Sequence, residues 1–141
     1  LHEVIYIRGL SITFLLSRHE TDGACDAFEL TVPAQRYLFV PHRHRDFDET
    51  ILGVDGIVTW TVDGKTIKIG PGDQLFIPRG VLHGYANHQP FPARMLSIFT
   101  PGLVGPEFFR DMADVLNLEG PPNIAEISKV MNRYGVIPGT L

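Results

Sequence analysis

The stretch "PHRHRDFDETILGVDG", residues 41–56, decides how this chain is read. His42 and His44 stand two apart in an extended run, and side chains alternate faces along a strand, so both imidazoles point the same way. Glu49 follows across the short loop "RDFD", at the head of the next β run. A loop of that size lets two neighbouring strands present His, His and Glu to one point. Neutral imidazoles with a carboxylate are a ligand set for a divalent metal. Taken alone, the stretch also fits two incidental histidines beside a solvated acidic loop.

Outward from it, short β runs rich in Val, Ile, Thr, Phe and Tyr continue to about residue 100. "SITFLLS", "DAFELTV", "RYLFV", "ETILGV", "GIVTWTV", "KTIKIG", "DQLFIP", "LHGYAN" and "ARMLSIF" are the clearest. Asp55-Gly56 and Asp63-Gly64 between them are two-residue hairpin signals, because Gly accepts positive φ. Pro33, Pro71-Gly72, Pro78 and Pro90 add further breaks. Many short strands at this spacing predict an all-β sandwich or barrel. The character changes after "TPG" at 100–102. "GPEFFRDMADVLNL" and "NIAEISKVMNRYG" carry helical apolar stripes, the second with Asn123 and Glu126 as a capping arrangement and Gly135 as its stop. The reading is a barrel domain over residues 1–102 and a helical tail over 103–141, packed on an outer sheet face or on a partner's surface.

"GDQLFIPRGVLHGYAN" strengthens the metal reading. It runs G-x5-P-x-G-x2-H-x3-N from Gly72 to Asn87, and the first stretch runs H-x-H-x4-E-x6-G from His42 to Gly56. Together they resemble the paired motifs of the cupin superfamily, over roughly residues 25 to 100. The resemblance implies a small jelly-roll β-barrel, its motif core at 36–100, with His42, His44, Glu49 and His83 coordinating one divalent transition metal. Three histidines and one glutamate leave positions on a six-coordinate ion open for substrate or dioxygen. One position departs from the family pattern: Arg36 stands where the first motif usually opens with Gly. That removes no ligand. Arg36 reads either as a surface residue or as a contact for an acidic substrate at the barrel mouth.

Alternation extends the inward face. Tyr85 and Asn87 should share the face of His83, Leu38 and Val40 that of His42, and Ile51 that of Glu49, around an apolar pocket suited to a small organic ligand. Asp46 and Asp48 read either as solvated loop acids or as hydrogen-bond partners of the ligand imidazoles. Phe47 is a candidate gate, and Trp60 reads as core or interface rather than as a ligand contact. His2, His19 and His88 have no paired acid at useful spacing. Cys25 excludes an internal disulfide, being the only cysteine, and reads as a buried, inert thiol.

The "AR.LSIFTPG" ending and short helical tail resemble small bacterial cupins described as quercetin-dioxygenase-like. That likeness implies a dioxygenase-type oxidoreductase acting on a small phenolic or enolisable substrate. Fe2+ is the favoured metal, with Mn, Ni, Zn, Co or Cu as alternatives. Glu49 would take a substrate proton, and Tyr85 is a second catalytic candidate. A metal-dependent isomerase or lyase and a non-catalytic binding module are the other readings, because one fold hosts many activities. The net charge of -4 gives no electrostatic reason to expect nucleic acid or an anionic membrane. No apolar run reaches the ~18 residues of a membrane span, and the first residues lack an export signal, so the expected location is cytoplasmic. The apolar segment "VIYIRGLSITFLL" exceeds what one strand uses. The expectation is a homodimer through residues 4 to 16.

Overall fold

The computed structural model describes residues 2–37 and 40–141, so Leu38 lies outside the described residues. Twelve strands are present among them: β1 Val4–Ile7, β2 Leu10–Leu16, β3 Asp26–Val32, β4 Arg36–Tyr37, β5 His42–His44, β6 Asp48–Asp55, β7 Val58–Val62, β8 Lys65–Ile69, β9 Gln74–Ile77, β10 His83–Asn87, β11 Ala93–Thr100 and β12 Val136–Pro138. Helices α1, Gly105–Leu116, and α2, Ile124–Arg133, precede the last strand. One sheet runs β1-β2-β3-β11-β6-β9 and the other β12-β5-β10-β7-β8, with β4 also paired to β10. Every pairing is antiparallel.

The strands alternate as a two-sheet barrel requires. In β7 the residues Val58, Trp60 and Val62 are buried, while in β11 the buried set is Ala93, Met95, Ser97 and Phe99. Apart from Ser97, both sets join one core with Ile12, Phe28 and Ile51. Turn chemistry sets the registers. Asp63 and Gly64 take φ of 50° and 75°, the positive pair that a two-residue hairpin between β7 and β8 demands. The N-terminal segment expected to be one over-apolar run is a hairpin of its own. Arg8 and Gly9 reverse the chain at φ 45° and 89°, so Ile5, Ile7, Ile12 and Phe14 all reach the core.

The tail departs from expectation. Residues Phe108, Phe109 and Met112 of α1 and Met131 of α2 line the same cavity as the histidines. The two helices roof the interior instead of covering an outer sheet face, because Phe109 enters an aromatic group with Phe14, Phe28 and Phe99. A carboxylate fixes the start of α1. Asp26, fully buried on β3, accepts hydrogen bonds from the backbone N–H groups of Arg18 (2.7 Å), Val104 (3.3 Å) and Gly105 (3.1 Å). A negative charge there satisfies otherwise orphaned donors and opposes the helix dipole. Asn123 caps α2 by accepting from Glu126 N, as its sequence predicts. Beyond Gly135 the chain then forms β12, an element absent from the sequence reading. It pairs with the histidine strand, Val136 opposite His44 and Pro138 opposite His42. No helix among the described residues is long and apolar enough to cross a membrane.

Candidate metal centre

Strand β5 lies between β12 and β10, and His42 sits directly across from His83. Two backbone links hold that register. Gly80, at φ 83° in the Pro78-Arg79-Gly80 turn, donates its N–H to the His44 carbonyl at 2.7 Å. Arg79 grips the Asp48 carboxylate through its backbone N–H (2.8 Å) and its guanidinium (3.1 Å), which also holds the Asp48 carboxyl below its usual range. Asp48 therefore fastens the start of β6, next to Glu49, to the turn that launches His83.

The three imidazoles converge. Ring centroids of His42, His44 and His83 are 4.7–5.0 Å apart, and one nitrogen of each falls within 4.8 Å of the others. His42 Nδ1 donates to the Val40 carbonyl (2.8 Å) and His83 Nδ1 to the Val81 carbonyl (2.9 Å). These bonds fix the tautomers, leaving each Nε2 lone pair directed at the cluster. His42 Nε2 and His44 Nε2 are 3.1 Å apart. Two nitrogens bound at ~2.1 Å and at right angles on one ion lie about 3 Å apart, so this separation suits adjacent ligands. His83 Nε2 is buried with no hydrogen-bond partner, and Glu49 Oε1 stands 3.5 Å from it and 3.9 Å from His44 Nδ1. The donor set fits a divalent metal ion.

Protonation agrees with that fit. Burial, reinforced by the neighbouring His83, pushes the His42 imidazole down to about 3 against the pull of the Val40 carbonyl. Burial, with His42 and His83 beside it, holds His44 well below its ordinary value. Both are neutral at physiological pH, the form that binds metal. Burial first and the Glu49 charge second push the Tyr85 phenol upward, so it stays protonated.

The cluster opens into a cavity of about 110 Å³ walled by aliphatic and aromatic side chains from both sheets and both helices. Tyr85 and Val40 line it as alternation predicts; Trp60, core as the sequence suggests, also lines it. Other expectations fall elsewhere. Asn87 is buried but spends its amide on the carbonyls of Val32, Pro33 and Phe91. Ile51 is core, and Phe47, fully buried, stacks on the His44 ring at 4.3 Å, which makes it a backing for the ligand and not a gate. Asp46 pairs with Arg45 and Asp48 with Arg79, so the carbonyls of Val40 and Val81 orient the imidazoles in their place. Arg36 is exposed and donates to the Arg8 carbonyl. His19 does have an acid partner, Glu107 at 2.8 Å, brought there by α1. Cys25 is half-buried and free.

The family profile described as "Cupin domain" matches residues 28–99, over half of the chain. The chain belongs to the cupin family. Its jelly roll is accordingly shared with solved cupin structures. A predicted oxalate decarboxylase from Thermotoga maritima superposes with a TM-score of 0.63 at 21% identity, over 71% of this chain and 91% of that one. Among curated relatives, the quercetin 2,3-dioxygenase of Bacillus subtilis is 35% identical over 75 residues, 53% of this cupin and 22% of that protein. An uncharacterised protein of Aquifex aeolicus is 34% identical over 71 residues, 50% of this chain and 58% of that one. The cupin thus spans less than two thirds of either relative's length.

Proposed function

We propose that this cupin is a metal-dependent oxidoreductase of the dioxygenase type, acting on a small phenolic or enolisable substrate. Its mononuclear centre would be held by His42, His44, Glu49 and His83. The observation that carries the reading is the convergence of three imidazoles on one apolar cavity beside a buried carboxylate, with His42 and His83 oriented by backbone carbonyls and burial keeping His42 and His44 neutral. The likeness to a quercetin 2,3-dioxygenase supports the reaction class. Bound there, a divalent transition metal, Fe2+ by preference or Mn, Ni, Zn, Co or Cu, would supply Lewis acidity toward a substrate oxygen and a site for dioxygen.

The remaining roles belong to the protein. Glu49 Oε1, beside the His83 nitrogen, accepts the proton of the incoming acidic hydroxyl. Tyr85, kept protonated, donates a hydrogen bond to the substrate and takes no proton from it. The cavity wall is apolar, so the negative oxygen left on the substrate is weakly screened. We further propose a homodimer through residues 4 to 16. Val4, Tyr6, Leu15 and Leu16 remain exposed there after the hairpin has buried Ile5, Ile7, Ile12 and Phe14.

The test is paired. Metal-free protein is loaded with Fe2+, and oxygen uptake is followed with a panel of phenols and enolisable ketones, beside the same reactions without oxygen. Glu49→Gln keeps the side-chain size and an oxygen donor but loses charge and basicity. Activity per bound metal is expected to fall by ~100-fold or more, the scale of a general base. Turnover that persists without oxygen would point to an isomerase or lyase. Unchanged activity per bound metal would make Glu49 a structural ligand only.

A further inference from the structure

Three buried side-chain polar atoms have no hydrogen-bond partner among the described residues: His83 Nε2, Trp60 Nε1 and Ser97 Oγ. All three residues line the one cavity. The metal-centre reading accounts for His83, and that leaves Trp60 and Ser97. Both are about nine-tenths buried or more, at 2% and 1% exposure, and burying a polar group without a partner is costly.

Their places in the sheets are matched. Trp60 on β7 lies opposite Tyr85, which is the next inward residue after His83 on β10. Ser97 on β11 lies opposite Ile51, the next inward residue after Glu49 on β6. Each sheet therefore sets one polar residue a single inward step beyond its metal-ligand candidate. The indole offers only an N–H donor, whereas the hydroxyl donates and accepts. No lysine or arginine lines the cavity among the described residues, so a carboxylate at that end would be desolvated with no countercharge. Volume adds a bound. At about 110 Å³ the cavity is of the order of the ~150 Å³ engineered apolar cavity that holds benzene, the scale of one ring.

We infer that the site takes a compact, uncharged molecule of single-ring size that presents a hydrogen-bond acceptor to Trp60 and Ser97, one inward step beyond His83 and Glu49. The inference rests on the metal-centre reading for the orientation of the molecule, but the polar pair is tested separately. Trp60 and Ser97 are specificity-determining residues on this account. A three-ring molecule exceeds that single-ring scale.

The probes are 3-hydroxy-4-pyranone and 3-hydroxy-4-pyridinone, which share shape and chelating oxygens but carry a ring oxygen acceptor or an N–H donor at the far end. A third probe, 3-hydroxyflavone, carries the pyranone with two more rings. Titrations use the full chain, with and without Fe2+, and metal per chain is measured for each variant. Trp60→Phe and Ser97→Ala are each expected to weaken pyranone about tenfold, the scale of one lost hydrogen bond; pyridinone should change less than twofold in Trp60→Phe, whose indole can only donate. The flavone is expected not to bind. Ser97→Ala, which removes only an unpartnered oxygen, keeps the question answerable if Trp60→Phe melts early. Equal losses for both single-ring probes in Trp60→Phe, no pyranone loss in either variant, or tight flavone binding would overturn the inference. An absence of bound metal with the pyranone preference intact would overturn only the metal-centre reading.

Discussion

Asp26→Ala tests whether the roof over the cavity is held by one carboxylate. The substitution removes the acceptor of three backbone N–H groups, those of Arg18, Val104 and Gly105, at 2.7, 3.3 and 3.1 Å. A hydrogen bond to a charged group contributes about 1.5–3 kcal/mol. Val104 and Gly105 share one oxygen at long distances, so the three do not add fully, and the expected loss is ~3–4 kcal/mol. At roughly 3 °C per kcal/mol for a chain of this length, the melting temperature should fall by about 10 °C. Asp26→Asn keeps one acceptor oxygen and should lose about half as much. The loss should be felt first at α1, whose Phe109 packs at 4.9 Å from Phe28 in the cavity wall. Calorimetry gives the melting shift, and binding of an apolar fluorescent dye reports the opened roof. An Asp26→Ala protein that melts within about 3 °C of the parent, a loss near 1 kcal/mol, would refute the anchoring argument.

Two further outcomes are expected. The imidazoles of His42 and His44 titrate well below the ordinary ~6.5 in the folded chain, so below that pH the unfolded chain binds protons that the folded chain refuses. Metal-free protein should therefore keep its full stability above pH ~6.5 and lose about 1.4 kcal/mol per pH unit per imidazole as the pH falls, a slope that His42→Asn should reduce in urea melts at pH 7.5, 6.5 and 5.5. Equal stability across those three values would contradict the buried, neutral assignment. Light scattering at micromolar concentration should give the mass of two chains, and Tyr6→Lys, on the exposed side of β1, should return a monomer; a monomeric parent would dismiss the pairing of residues 4 to 16.

Much of the site was legible because its spacing is local. His42 and His44 share a face by strand alternation, and the Pro78-Arg79-Gly80 turn fixes where His83 enters β10. The strand "DAFELTV" has the bounds of β3 because its turns lie on either side. What stayed hidden depends on contacts between distant residues. An amphipathic stripe on α1 says that a partner exists but not that Phe109 will find Phe28, some eighty positions earlier. The carbonyls of Val40 and Val81 leave no signature, since every residue has one. Three residues ending in Pro138 are too short and too poor in donors to announce β12. Ser97 did leave a trace: a lone hydroxyl at a buried position of "ARMLSIF" calls for a partner, and none lies within the chain among the described residues.

The central claim is that His42, His44, Glu49 and His83 hold one divalent ion. Metal per chain, measured by elemental analysis after chelator treatment and reloading with Fe2+, tests it most directly when the parent is set beside His83→Ala. The parent should bind close to one ion per chain. His83→Ala should bind at least ~10–100-fold more weakly, since even the loss of a group that only orients a ligand has that effect. A parent that takes up no ion, or a His83→Ala protein that holds as much as the parent after dialysis against the same chelator, would contradict the account.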